Sequence, residues 1–267
     1  MQSWATRRGP AVNRERRSEP MNEAKETERI AKVMARAGLC SRREAERWIA
    51  DGRVTVNGEK LETPAFTVGR SDRVMVDGKP LPAVEAPRLF LYHKPVGLVT
   101  SARDEKSRPT VFANLPPGLP RLISVGRLDL NSEGLLLLTN DGGLARYLEL
   151  PANAWSRRYR VRVHGTVKPG DLAKLARGVT VDGVRYGPIE ARMERAPTGS
   201  NAWLAITLEE GKNREIRKVM AHVGLEVSRL IRTAYGPFEL GALAPGAAEE
   251  VAPKVLKAGV SGYFAQP

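Results

Sequence analysis

Cysteine is almost absent from this chain of 267 residues, in which Cys40 has no possible disulfide partner. Histidine is also rare, and His93, His164 and His222 lie far apart, without the short spacing that zinc ligands show. Long apolar runs are missing too: the leucines at 135–138 form a stretch far shorter than the roughly 18 residues that cross a membrane. These absences favour a cytoplasmic protein with no metal and no membrane segment.

Acidic residues are outnumbered by basic ones. The chain has 43 Lys and Arg against 30 Asp and Glu, which gives a net charge of +13. A polyanion is therefore the leading partner, because each phosphate that a basic side chain neutralises releases condensed counterions. Surface charge that only keeps the protein in solution is the alternative. Residues 1–27 are rich in arginine and lack the apolar core of a secretory signal, so we predict a disordered basic tail there.

The segment that follows the tail predicts a helical hairpin. Apolar residues recur at helical spacing between Glu28 and Leu39, and Gly38 supplies a stop for the first helix. The second helix opens with Ser41 and has Glu44 three residues later, which is the pattern of a capping box. Two short β-hairpins follow, because "VTVNG" and "VMVDG" place alternating valines before Asn-Gly and Asp-Gly turns.

The helical half of this segment carries most of its basic residues. The sequence "IAKVMARAGLCSRREAERWIADGRVTVNG" resembles the small RNA-binding domain first named from ribosomal protein S-four, over residues 28–81. The resemblance implies that the second helix and the turn after it face structured RNA; otherwise Ser41 only caps its helix and the arginines are solvated. The residues predicted to bind RNA here are Arg36, Ser41, Arg42, Arg43, Arg47 and Arg53.

A larger unit is expected after a short linker. Residues 82–87 are rich in proline and predict a semi-rigid linker. Residues 88–250 mix strand candidates, such as "RLFLYHK", "GLLLLT", "RRYRVRVHG" and "AWLAITL", with short helices, which predicts an α+β domain around a mainly antiparallel sheet. Residues 251–267 are predicted to be a C-terminal tail.

An acid stands at the start of the most apolar strand candidate, in "VGRLDLNSEGLLLLTNDGG". In extended chain, residues two apart point the same way, so Arg127 and Asp129 should project together while Leu128 turns into the core. Such a pair can keep the aspartate ionised. From this pattern alone, a surface acid or a turn-capping residue explains Asp129 equally well.

A wider resemblance favours catalysis. "GRLDLNSEGLLLLTNDG" resembles the central motif of pseudouridine synthases of the RsuA/RluB type, and "HKPVG", "RRYRVRV" and "EGKNREIRKVMAHVGLEVSRLIR" resemble other segments of that family in the same order. The resemblance implies that the chain isomerises uridine to pseudouridine in ribosomal RNA, without a cofactor. It assigns catalysis to Asp129 as nucleophile, Tyr159 stacked on the base, Arg217 paired with the aspartate and Arg127 filling the space left by a flipped nucleotide.

The resemblance also implies further RNA contacts, at Lys94, Lys212, Arg214 and Arg232. "SRPTVF" and "VSRLIRTAYG" look closest to relatives that act on large-subunit ribosomal RNA, and we expect a monomer with no obligate protein partner. Glu215 departs from the family pattern, because it adds an acid beside the expected site.

Two other functions remain open from the sequence. A non-catalytic RNA-binding or ribosome-assembly factor could use the same basic surfaces. A carboxylate hydrolase would need two acids that flank the bond to be broken, and Glu133 and Asp141 are the nearest candidates to Asp129. Neither has an obvious role as its partner.

Overall fold

The computed structural model describes residues 27–102, 104–195 and 199–265. Apart from Thr27, the predicted basic tail lies outside the described residues. The N-terminal elements are strand β1 (Glu28–Arg29), helices α1 (Ile30–Arg36) and α2 (Arg42–Ala50), and strands β2 (Val54–Val56), β3 (Glu59–Lys60), β4 (Thr67–Val68), β5 (Val74–Val76) and β6 (Lys79–Pro80). They build the predicted helical hairpin and β-hairpins.

The local signals at the helix ends are confirmed. Ser41 accepts a hydrogen bond from the Glu44 backbone N–H at 3.2 Å, and the Glu44 carboxylate accepts one from the Ser41 N–H at 2.9 Å, which completes the capping box. Gly38 ends the first helix with a φ of 79°, a conformation that glycine adopts without strain. This helix begins later than predicted, at Ile30, because Glu28 and Arg29 pair instead with Val68 and Thr67.

The two hairpins join into one four-stranded sheet, in the order β3-β2-β5-β6. Asn57 and Asp77 take positive φ angles of 54° and 49°, as the predicted Asn-Gly and Asp-Gly turns require. The sheet and helices enclose a hydrophobic core of their own, made of Ile30, Ala31, Met34, Cys40, Ala45, Ile49, Val54, Val56, Leu61, Val68, Val74 and Val76.

The rest of the chain forms a larger unit of mixed structure. Its strands are β7 (Leu89–Lys94), β8 (Ile123–Val125), β9 (Glu133–Thr139), β10 (Arg157–His164), β11 (Val179–Val181), β12 (Val184–Tyr186), β13 (Ile189–Met193), β14 (Asn201–Leu208), β15 (Glu226–Tyr235), β16 (Phe238–Glu239) and β17 (Ala248–Glu250). Its helices are α3 (Gly142–Glu149), α4 (Pro169–Lys174), α5 (Glu215–His222), α6 (Pro253–Gly259) and α7 (Ser261–Phe264).

One sheet dominates this unit, with the strand order β13-β14-β10-β15-β9-β7-β17, while β16 pairs with β15 and β8 with β9. Within the described residues its ladders are antiparallel except the one between β9 and β15, so the predicted α+β fold with a mainly antiparallel sheet is confirmed. At that parallel contact Gly134 lies opposite Arg232, and a Cβ at Gly134 would overlap the Arg232 backbone. Glycine is therefore required there.

The run of leucines in β9 is buried on both faces of the sheet. Leu135 and Leu137 pack into one cluster with helices α3 and α6, whereas Leu136 and Leu138 pack into another with Phe90 and Leu128. This explains why the strand reads as continuously apolar rather than alternating. Strand β9 thus gives the residues just before it a rigid support.

Residues 251–265 correct the prediction of a C-terminal tail. Helices α6 and α7 form there, and Val251, Leu256 and Val260 are buried against the sheet. The apolar segment is too short for its periodicity to predict a helix from the sequence. Burial against distant strands stabilises the two helices instead. Across the described part of the chain, no helix has both the length and the apolar character needed to cross a membrane.

Candidate active site

Asp129 lies in the connection between β8 and β9, directly before the buried leucine strand. Leu128 is buried, whereas Arg127 is exposed and Asp129 is half-buried. The predicted alternation of these side chains is therefore confirmed. Among the described residues, however, Arg127 forms no ion pair with Asp129, and the Asp129 carboxylate accepts no hydrogen bond.

The backbone of this connection, which we call the aspartate loop (residues 126–132), is held by several distant segments. The Gly126 N–H donates to Glu149 at 2.7 Å, and the Thr100 hydroxyl donates to the Leu128 carbonyl at 2.9 Å. The Gly97 N–H donates to the carbonyl of residue 130 at 2.8 Å. Because most of its polar backbone groups are paired, the loop can hold the Asp129 carboxylate in one place.

Lys94 is the most deeply buried cation of this region. Its side chain is 0% exposed, and its ammonium donates to the carbonyls of Pro95 at 3.0 Å, Asp129 at 3.2 Å and Ser132 at 2.8 Å. Burial lowers the pKa of Lys94 to about 8, against the opposing attraction of Asp129 and Glu133. Lys94 therefore holds the loop from inside, and its predicted contact with RNA stays a prediction.

Arg217 projects from α5 toward the same loop. Its guanidinium donates to the carbonyls of Asn131 at 2.8 Å and Val227 at 3.0 Å, so it ties the loop to the start of β15. Burial and the nearby Arg214 lower the pKa of Arg217, while the charge of Asp129 raises it. Arg217 and Asp129 therefore interact electrostatically, although no direct ion pair joins these two described residues.

A cavity of about 410 Å³ opens beside the aspartate loop. It brings together most of the residues that the sequence predicted for the site, namely Arg127, Asp129, Tyr159, Lys212, Arg214 and Arg232. Lys94 and Arg217 stand behind the loop rather than on the cavity wall. The predicted cations therefore fall into two groups: some line the cavity, and others hold the aspartate loop from behind.

Arg232, which the resemblance names as a further RNA contact, lies inside the molecule rather than on its outer surface. It is 3% exposed, donates to the Leu135 carbonyl at 2.7 Å and lies over the ring of Tyr235. The cause is its pairing opposite Gly134, where β15 meets the buried strand β9. Any contact between Arg232 and RNA has to be made inside the cavity.

Sequence reasoning missed several residues that line the cavity. Ser132, Glu149, Arg157 and Tyr235 all border it. Arg157 donates to the Tyr235 hydroxyl at 2.9 Å, and that hydroxyl donates to the Leu148 carbonyl at 2.7 Å. Ser132 stands inside the quoted motif and could have been suggested by it, whereas the other three have no distinctive local pattern.

The acids near Asp129 have separate roles. Glu133 pairs with Arg229, at 2.5 Å, and Asp141 caps helix α3 by accepting from the Leu144 N–H at 2.6 Å. Neither is free to act as the second acid of a hydrolase. Glu215 is different: it is 4% exposed and lines the cavity, which agrees with the expectation of an extra acid beside the site.

The arginines of the N-terminal unit that are predicted to bind RNA are exposed. Arg42, Arg43 and Arg47 are exposed on helix α2. Arg36 pairs with Glu28 at 2.5 Å, and Arg53 pairs with Asp77 while its guanidinium lies 4.6 Å from the Trp48 ring centre. The helix thus presents a cluster of cations suited to phosphate groups.

The site contains no obvious means of holding a metal. Within residues 27–102, 104–195 and 199–265, no three His, Cys, Asp or Glu side chains are grouped as metal ligands would be. A carboxylate on a rigid loop, beside a tyrosine and several cations, suits an enzyme that acts on a polyanion such as RNA. The small basic unit that precedes this site in the chain is also suited to bind a polyanion.

The chain belongs to the RNA pseudouridylate synthase family, and it is an RNA pseudouridine synthase. The model of that family matches residues 88–222, and the model of the S4 domain matches residues 28–80. The first match covers the part of the larger unit that contains the aspartate loop, and the second covers the small basic unit in front of it.

Several relatives are similar along most of the chain. An uncharacterized RNA pseudouridine synthase of Rickettsia felis is 47% identical over 231 residues, which cover 86% of this chain and 99% of the relative. Ribosomal large subunit pseudouridine synthase B of Yersinia pestis is 40% identical over 221 residues, which cover 80% of this chain and 69% of the relative. A crystal structure of a pseudouridylate synthase has the same fold, with a TM-score of 0.61, 24% identity and coverage of 86% of this chain and 98% of that one.

Proposed function

We propose that this protein converts one uridine of large-subunit ribosomal RNA to pseudouridine, with Asp129 as the catalytic carboxylate. The observation that carries the proposal is the aspartate loop, whose paired backbone holds Asp129 at a cavity that Tyr159 also lines. The choice of RNA is supported by relatives named ribosomal large subunit pseudouridine synthase B, such as those of Yersinia pestis and Xanthomonas campestris. The second of these is 42% identical, over 80% of this chain and 45% of the relative.

The reaction needs one nucleophile and a closed space rather than a cofactor. The bond between N1 and C1′ of the uridine breaks, the uracil turns, and C5 forms the new bond to C1′. The proton leaves C5 and N1 gains one, so the product is an isomer of the substrate with no net redox change. In the proposal the Asp129 carboxylate is the nucleophile, and its half-buried position limits competition from water.

Three other residues complete the proposed chemistry. Tyr159 stacks on the uracil and relays the C5 proton, for which its position on the cavity wall is suitable. Arg217 balances the charge of Asp129, in line with the electrostatic attraction between them. Arg127 is exposed at the cavity and stacks into the RNA helix where the flipped uridine has left.

The N-terminal unit, in this proposal, adds affinity and register on folded RNA. Its exposed cations contact phosphates, and Lys212 and Arg214 do so at the edge of the cavity. The proposed RNA-binding residues outside the cavity are Arg36, Ser41, Arg42, Arg43, Arg47 and Arg53. We further propose that the protein takes part in ribosome biogenesis as a monomer in the cytoplasm.

Tritium release tests this function directly. Large-subunit ribosomal RNA transcribed with tritium at uridine C5 is incubated with the protein, and the tritium that appears in water is measured. We expect release by the wild type and a loss of at least about a thousandfold in Asp129→Asn, with RNA affinity within about threefold. Binding without any release from the wild type would favour the non-catalytic RNA-binding factor instead.

A further inference from the structure

Three residues that line the cavity each have a buried polar atom without a hydrogen-bond partner in the described part of the chain. Ser132 Oγ, Glu215 Oε1 and Arg232 Nη2 are each buried and form no hydrogen bond in the described part of the chain. All three residues line the cavity beside Asp129. Burying a polar group without a partner is unfavourable, so a ligand that enters the cavity and supplies the missing hydrogen bonds would be favoured at these residues.

Glu215 is held so that only one of its oxygens is engaged. It is the first residue of α5, and Arg214 before it has a φ of 52°. Its Oε2 accepts a hydrogen bond from the Lys212 backbone N–H at 2.9 Å, which leaves Oε1 unpaired. The Lys212 N–H therefore holds one oxygen of the carboxyl group, while the second oxygen is buried without a hydrogen bond.

Charges around Glu215 act in opposite directions on its carboxyl group. Burial raises the pKa of Glu215, and the neighbouring Glu210 raises it further, while the Lys212 N–H and the charges of Lys212 and Arg157 lower it. Arg157 and Arg232 lie over the same Tyr235 ring, at 4.7 Å and 5.3 Å. A carboxylate acceptor and guanidinium donors thus line the same cavity.

The edge of uracil offers the complementary pattern. Its N3–H is a donor, and the carbonyls at C2 and C4 on either side are acceptors. Enzymes that act on a flipped base read it through such contacts. Building on the proposed function, we propose that Glu215 selects uridine by accepting its N3–H, while Arg232 donates to one of the adjacent carbonyls.

This arrangement rejects cytidine for a physical reason. Cytosine has a lone pair at N3, which would face the carboxylate of Glu215, and an amino group where uracil has a carbonyl. The three atoms are covered from solvent in the structure, so side chains of the cavity wall shift when the base enters. Ser132 Oγ supplies a further donor on the same wall.

The test compares two RNAs that differ only at the N3 atom of the target base. One carries uridine and the other N3-methyluridine, both with tritium at C5, and kcat/KM is measured from tritium release. The wild type should strongly prefer the uridine RNA, because the methyl group removes the N3–H donor and collides with Glu215. The preference is the ratio of kcat/KM for the uridine RNA to kcat/KM for the N3-methyluridine RNA. We expect Glu215→Ala to lower this ratio at least about tenfold, because the shorter side chain makes room for the methyl group.

The control separates this role from helix capping. If Glu215 only stabilises the start of α5, Glu215→Ala will lower kcat/KM for both RNAs by the same factor, and the proposal is overturned. Glu209→Gln changes an exposed carboxylate close by in the chain that does not line the cavity, and it should leave the preference unchanged. Absence of tritium release by the wild type on uridine would instead contradict the proposed function itself.

Glu215→Gln gives a second readout that does not depend on catalysis. Glutamine has one oxygen, which the Lys212 N–H holds, so the amide NH2 group faces the base as a donor. The affinity of Glu215→Gln for RNA with cytidine at the target position, relative to its affinity for the uridine RNA, should be about tenfold higher than in the wild type. The reason is that N3 of cytosine accepts a hydrogen bond from the amide. An unchanged ratio of dissociation constants would contradict the assigned contact.

Discussion

The basic residues of the small N-terminal unit and those around the aspartate loop are placed in opposite ways. On helix α2, Arg42, Arg43 and Arg47 are exposed to solvent. Around the loop, Lys94 is fully buried, Arg217 is half-buried, and both donate to backbone carbonyls of the loop. Residue type alone does not tell these two roles apart. An exposed cation is suited to bind phosphate groups, whereas a buried cation that donates to backbone carbonyls stabilises the site.

The two groups should respond differently to substitution. Removing a buried cation leaves carbonyl oxygens without donors inside the protein, which is strongly unfavourable. Removing an exposed arginine disturbs little of the fold, but it weakens the attraction for phosphates. Effects on stability should therefore appear around the loop, and effects on salt-dependent RNA binding in the N-terminal unit.

Lys94→Met should have the largest effect on stability. It leaves the carbonyls of Pro95, Asp129 and Ser132 without their common donor, and we expect the free energy of unfolding to fall by about 3 kcal/mol. Urea denaturation measures this loss. Lys254→Met is the matched control, because Lys254 is exposed on α6, and it should change the midpoint very little. Equal losses in the two variants would contradict the role of Lys94 inside the loop.

Arg217→Gln should lower activity more than stability. The shorter side chain cannot reach both Asn131 and Val227, so the aspartate loop loses its tie to β15. We expect kcat to fall about a hundredfold and the free energy of unfolding by about 1–2 kcal/mol. Lys218→Gln alters the adjacent exposed cation of the same helix and should leave kcat within about twofold. A similar kcat for both variants would argue against a special position for Arg217.

The double change Arg42→Gln and Arg43→Gln should act on RNA binding alone. We expect affinity for substrate RNA to fall about tenfold at physiological salt, and the slope of log affinity against log salt to decrease by about two. Titrations at several salt concentrations measure both quantities. The control is the double variant Lys254→Gln and Lys257→Gln, which removes the same amount of charge from α6. An equal loss of RNA affinity in this control would mean that net charge, rather than the surface of α2, determines binding.

Arg53→Gln should give the smallest effect on the fold. Arg53 pairs with Asp77 and lies over Trp48, but both charged side chains are exposed, and screening by water there weakens the ion pair. We expect the thermal midpoint to stay close to that of the wild type, while affinity for RNA falls slightly. A large drop in the midpoint would remove the distinction between the two regions.

Local sequence signals predicted the local features well. The capping box at Ser41, the Asn-Gly and Asp-Gly turns and the leucine strand are all confirmed, because each depends on residues within a few positions of one another. The aspartate loop was singled out by the resemblance of the segment around Asp129 to a family motif, because the local pattern alone explained Asp129 equally well as a surface acid or a turn-capping residue.

Features that depend on distant pairing could not be predicted. The burial of Lys94 follows from the antiparallel pairing of β7 with β9, and that of Arg232 from the parallel contact with Gly134. The packing of residues 251–265 against the sheet likewise joins the end of the chain to strands far from it. A strand pattern shows which residues alternate, but it does not identify the neighbour that covers them.

The aspartate loop also has a consequence for how the protein reaches its active form. Its backbone is held by residues as far apart in the chain as Lys94, Thr100, Glu149 and Arg217. Contacts between such distant positions form slowly, because a long stretch of chain must be ordered before they can close. We therefore expect the reactive geometry to be among the last parts of the molecule to assemble. A chain emerging from synthesis would then remain unreactive until helix α5 has been made and has docked.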